Sequence, residues 1–128
     1  MLAALAAAKG LPGVDSRRQG LAGYSFGAVV GAMAASRARD LRALVLVSPP
    51  LAALGQEALA GLALPKLILS GEKDPVAPPE ELQRLAEKLG QSCEVVILPG
   101  VNHFWWMGFE TAAARAVAFF RKHLGPGK

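Results

Sequence analysis

The chain has 128 residues, 52% hydrophobic and 19% charged, and 14 Lys plus Arg against 10 Asp plus Glu give it a formal charge of +4. That length suits one domain, and the apolar content is far more than a disordered chain leaves in water. No uncharged apolar run reaches the ~18 residues of a membrane span, one cysteine excludes an internal disulfide, and two scattered histidines offer no structural zinc site.

Short Leu- and Val-rich runs alternate with amphipathic, Ala-rich stretches, the pattern of a βα series. Residues 2–9 predict a helix ended by Gly10, with Pro12 and Gly13 closing the turn. This opening stretch resembles the core of a signal peptide but has no basic lead-in and stops at Lys9, so a cytoplasmic protein is expected. A short strand is expected over 19–22 and a helix over 26–37. In that helix Gly27, Gly31 and Ala35 form a small-residue stripe expected to lie close on a sheet.

Leu44 to Val47 reads as a buried strand stopped by Ser48-Pro49-Pro50. A loop with a short helix over 56–61 leads to a strand over 66–70 and then to a turn-rich segment, Gly71 to Pro79. A helix over 80–89 has an acidic start and a basic end, as the helix dipole favours. A strand over 94–98, a loop over 99–103 and a helix over 109–124 complete the chain. The expected fold class is α/β: three layers, a mostly parallel sheet of about four strands with flanking helices, in a single domain over 1–128.

In open parallel sheets, chemistry collects in the loops at the carboxyl ends of strands. The first such loop carries Gly23-Tyr24-Ser25-Phe26-Gly27, a G-x-S-x-G sequence between a strand and a helix. A sharp turn there exposes the serine, and small residues two before and two after it are expected to permit the tight packing. The helix N-terminus would then face the site, with the Phe26 N–H as an oxyanion donor. The third strand is followed by Ser70-Gly71-Glu72-Lys73-Asp74, the fourth by Gly100-Val101-Asn102-His103. An imidazole activates a serine, and a carboxylate holds that imidazole in its useful tautomer.

Of the three aspartates, Asp15 and Asp40 precede strands and read as turn or cap residues. Glu72 shares the loop of Asp74 and is the alternative acid. His123 ends the last helix and reads as structural. Tyr24 and Trp105 are candidate substrate contacts, with core packing as the other reading for each. Cys93 reads as a small buried hydrophobe. The basic residues are spread thinly, and no nucleic-acid or membrane partner is expected.

The stretches Val14 to Ala28, Leu44 to Leu51, Leu67 to Leu82 and Leu98 to Trp105 together resemble the C-terminal half of an α/β-hydrolase. They are most similar to small, lidless serine hydrolases such as dienelactone hydrolases and uncharacterised α/β-superfamily esterases. The resemblance implies Ser25 as nucleophile, Asp74 as acid, His103 as general base, the backbone of Phe26 as oxyanion donor, and no metal or cofactor. It further implies a small ester, thioester or lactone as substrate.

The family's sheet of about eight strands needs about 200 residues, so this chain would hold roughly its last half, N-terminally truncated relative to the family. The strand before Ser25 would then be an exposed edge. Expected alternatives are a piece of a longer protein or a homodimer through that edge, and a catalytically weak or silent binding or oligomerising module.

Overall fold

Four apolar runs, β1 (Gln19–Tyr24), β2 (Leu41–Val47), β3 (Lys66–Gly71) and β4 (Cys93–Leu98), form one sheet in the order β1-β2-β3-β4. Every neighbouring pair is parallel in the computed structural model, which describes residues 1–125. Parallel neighbours require crossovers, and these are α2 (Phe26–Ala35), α3 (Gln56–Ala60) and α4 (Pro79–Leu89). Helix α1 (Leu2–Lys9) precedes the sheet and α5 (Phe109–Leu124) follows it.

Because the strand order advances steadily in one direction, right-handed crossovers put α2, α3 and α4 on the same face. Leu21, Leu44, Leu46 and Ile68 point into that side and pack with Ala28, Ala32, Leu59, Leu82 and Leu85. Alternate positions of the same strands, Ala43, Val45, Leu67 and Leu69, face the other side, where α5 covers them with Ala112 and Phe119. The fold is therefore the expected three-layer half of an α/β-hydrolase sheet. Among the described residues no helix is long and apolar enough to cross a membrane.

The differences from expectation are local. Strand β2 begins at Leu41 rather than Leu44, and α2 ends at Ala35 rather than Arg37, where Ser36 turns its hydroxyl back to the Met33 carbonyl. The residues of α2 that meet the sheet are Ala28, Gly31, Ala32 and Ala35, not a Gly27-Gly31-Ala35 stripe, since Gly27 is only half-buried. Helical spacing of three and four explains the shift.

Asp15 accepts the Arg17 backbone N–H as a turn residue, and Asp40 pairs with Lys9 to tie α1 to the α2–β2 turn. His123 packs on the Phe119 ring at a centroid distance of 4.4 Å. At the start of β3, burial lowers the pKa of Lys66, whose ammonium donates to the Leu62 and Leu64 carbonyls and to Ser92 Oγ.

Candidate active site

Ser25 occupies the turn between β1 and α2 at φ 51°, ψ −119°, outside the regions an L-residue normally adopts. Its N–H donates to the Val47 carbonyl at 2.8 Å, which fastens the turn to the end of β2. A Cβ on Gly23 would stand 2.2 Å from the Gly27 carbonyl oxygen, so only glycine fits there. A Cβ on Gly27 would meet nothing within 4 Å. The expected need for small residues on both sides thus falls on Gly23 alone. Phe26 is the first residue of α2, so its N–H has no acceptor within the helix.

The loops after β3 and β4 are locked together beside this turn. A Cβ on Gly71 would lie 2.1 Å from the Val101 carbonyl oxygen, and the N–H groups of Glu72 and Lys73 donate to the carbonyls of Leu98 and Val101, each at 2.9 Å. This close approach brings the three side chains into one chain of hydrogen bonds. Ser25 Oγ lies 2.9 Å from His103 Nε2, and His103 Nδ1 lies 3.0 and 3.1 Å from the two carboxylate oxygens of Asp74. An ionised carboxylate only accepts, so Nδ1 carries the proton and Nε2 is left to accept from the serine hydroxyl.

Asp74 is 2% exposed. Burial alone would raise its pKa, but the nearby Ser48 hydroxyl, the His103 ring and the N–H groups of Val76 and Ala77 outweigh that and hold it below the usual value. The two amide bonds, 2.9 and 3.1 Å, both end on Oδ1. Glu72 turns away, accepting the Gly100 N–H at 2.8 Å as a brace for the turn after β4. The carboxylate beside His103 is therefore that of Asp74.

The half-exposed Tyr24 donates its hydroxyl to the His103 carbonyl at 2.6 Å. Trp105 is buried, with its indole N–H donated to Ser48 Oγ at 2.8 Å. Both also line an apolar cavity of about 350 Å³ with Val47, Phe104, Phe109 and Ala112. A cavity of about 490 Å³ at the opposite end of the sheet is lined by Arg39, Arg42 and the Gly61 to Pro65 segment, far from these side chains. The Cys93 thiol is half-buried and burial raises its pKa, which makes it a poor nucleophile. Ser48 is the site residue that sequence reasoning passed over. It read only as a strand stop before two prolines, yet it is fully buried and its hydroxyl accepts the Trp105 indole N–H.

The sequence profile of the alpha/beta hydrolase family matches residues 3–113. No curated protein matches in sequence. Among solved structures, the chain is similar to a protein of unknown function from Agrobacterium tumefaciens, provisionally described as an alpha/beta hydrolase. The TM-score is 0.71 at 29% identity, over 84% of this chain and 52% of that one. It is also similar to an alpha-beta serine hydrolase homologue from Coxiella burnetii, with TM-score 0.59 at 28% identity over 80% and 48% of the two chains. A provisionally named dienelactone hydrolase from Klebsiella pneumoniae shares the fold, with TM-score 0.75 at 20% identity over 88% and 55%. The chain spans about half the length of each of these proteins.

Proposed function

The chain belongs to the alpha/beta hydrolase family, and on that premise we propose that it is a serine hydrolase cleaving carboxylic esters, thioesters or lactones through an acyl-enzyme. The observation that carries the reading is the continuous hydrogen-bond path from Ser25 Oγ through the His103 ring to the buried Asp74. Ser25 Oγ attacks the carbonyl carbon while His103 Nε2 takes its proton, and the Phe26 N–H donates to the oxygen that becomes negative. The imidazolium returns the proton to the departing oxygen or sulfur, leaving an acyl group on Ser25. Water, deprotonated by His103, then attacks that ester and releases the acid. Asp74 stays ionised and stabilises the imidazolium throughout.

A small substrate is favoured by the short connection between β2 and β3, which buries Leu51, Leu54 and Leu59 in the core. The neighbouring apolar cavity of about 350 Å³ suits a short acyl or aromatic group. Each oxyanion donor is worth roughly 100- to 1000-fold in rate, so a covalent probe is a surer reporter than turnover. A fluorophosphonate is expected to label Ser25, identified by peptide mapping, and 4-nitrophenyl acetate to be hydrolysed in preference to long-chain esters. Ser25→Ala is expected to abolish labelling and turnover, and turnover unchanged in that variant would overturn the reading.

One observation favours a second reading. Among the described residues β1 pairs only with β2, so the strand before Ser25 has an open edge. Such an edge is a template for pairing, and under this reading the chain self-associates through β1, antiparallel about a two-fold axis, without catalysing. A clean monomer by sedimentation at micromolar concentration would remove it.

A further inference from the structure

The charge of the chain is unevenly placed. Residues 1–42 hold six Lys and Arg against two Asp, and residues 43–128 hold eight basic and eight acidic side chains, so the whole net charge of +4 belongs to the first third. Lys9 and Arg17 are engaged by the two acids of that segment, Asp40 and Asp15, and Arg18 donates to the carbonyls of Leu124 and Gly125. Among the described residues, the exposed Arg37, Arg39 and Arg42 have no carboxylate partner.

Arg39 and Arg42 line the cavity of about 490 Å³ at the amino end of the sheet, and Arg39 also lines a neighbouring hollow with Lys9, Arg37 and Asp40. Among the described residues no acidic side chain lines the larger cavity. Its other walls are mostly apolar, with Leu41, Leu62, Leu64 and Pro65. Two carbonyls of this wall that would repel an anion, those of Leu62 and Leu64, accept instead from the buried Lys66 ammonium. That ammonium meets three acceptors with its three donors, which is the protonated form, and it stands behind the wall as a further positive charge.

Cations gathered at a concave, low-dielectric surface focus a positive potential there. Neither Arg39 nor Arg42 has to break an ion pair to take an anion. A guanidinium fork matches the oxygens of a carboxylate or a phosphate, and two forks suit a dianion with three free oxygens better than a carboxylate with two. The cavity is of the size that holds a small molecule rather than a bare ion.

We propose that this cavity is a binding site for a phosphate monoester, with its dianionic head between Arg39 and Arg42 and its apolar part against Leu62, Leu64 and Pro65. The site lies apart from Ser25, Asp74 and His103 and does not depend on their being catalytic. A soluble ester and a phosphatidic acid headgroup present the same chemistry, and the experiment separates them.

The test titrates the chain with phenyl phosphate by calorimetry at pH 8 and low salt, with inorganic phosphate, benzoate and phosphatidic acid vesicles as parallel arms. Phenyl phosphate is expected to bind about tenfold more tightly than inorganic phosphate, through burial of the ring, and about tenfold more tightly than benzoate, through the second guanidinium. Arg39→Gln and Arg42→Gln are each expected to weaken it about tenfold, and Arg115→Gln, on α5, to leave it unchanged. Thermal unfolding checks that the variants fold. Vesicle binding that phenyl phosphate displaces supports the same site with a lipid source. No saturable binding of phenyl phosphate overturns the proposal, as does inorganic phosphate or benzoate binding equally well, or an equal loss in Arg115→Gln. Binding of vesicles or of an oligonucleotide without binding of phenyl phosphate also overturns it, since a positive surface then attracts polyanions and the cavity recognises nothing.

Discussion

The two halves of the candidate site are built differently. Asp74 follows β3, whose six residues are all buried between two neighbouring strands, and its carboxylate is held by amides of its own loop and by the buried Ser70 hydroxyl. Ser25 follows β1, an edge strand, where Ala22 and Tyr24 are exposed. Asp74, the proposed acid, inherits its position from the interior. Ser25, the proposed nucleophile, is held by its own turn, by the bond to Val47, and by two contacts that cross to the histidine loop: Ser25 Oγ to His103 Nε2 and Tyr24 hydroxyl to the His103 carbonyl. Perturbing the acid half should therefore change chemistry at nearly constant geometry, whereas the nucleophile half should respond first to backbone changes.

Among substitutions that keep Ser25, the largest effect is expected at the proposed acid. Asp74→Asn should cut Ser25-dependent activity by about 10⁴-fold, because an amide no longer holds the imidazole in the useful tautomer. The same variant has a second readout. The folded-state pKa of Asp74 lies below its ordinary value near 3.8, so the stability it contributes is present above that value and lost as pH falls through the folded one. Urea midpoints at pH 6 and pH 3 should differ less in Asp74→Asn than in the wild type. An equal difference would mean that Asp74 is not held as described.

At the nucleophile the expectation splits between two glycines. Gly23→Ala forces the turn off the Gly27 carbonyl and should slow labelling of Ser25 about 100-fold by displacing the hydroxyl. Gly27→Ala meets open space in a helix and should leave labelling intact while adding about 0.5–1 kcal/mol of stability. Labelling rates with thermal melts distinguish the two. Equal losses would mean that the turn needs both glycines after all.

The same contrast governs what could be read from the sequence. Element existence was legible because strands and helices here differ in period, and single-file parallel order follows from strands joined by helices. Ser25, Asp74 and His103 were legible as candidates because each lies in a loop after a strand, in chain order. Glu72 and Asp74 could not be separated by type or spacing. They are separated in the structure by their bonds, Glu72 accepting the Gly100 N–H and Asp74 those of Val76 and Ala77 beside His103. Ser48 and the Tyr24 strap were not legible, since both are contacts between loops distant in sequence. A serine before two prolines carries no local sign that its hydroxyl accepts from an indole of another loop.

The smallest expected effect tests how much the strap matters. Tyr24→Phe removes the hydrogen bond to the His103 carbonyl but keeps the ring that sits 5.8 Å from the imidazole. Because Tyr24 is 47% exposed, water can replace the lost donor at that carbonyl. The net worth of such a bond is about 0.5–1.5 kcal/mol, so labelling of Ser25 should slow about threefold, with a small drop in thermal midpoint. A loss approaching that of Asp74→Asn would reverse the contrast between the two halves. The nucleophile would then be placed by its link to the histidine loop rather than by its own turn, and the edge strand would depend on the interior for its alignment.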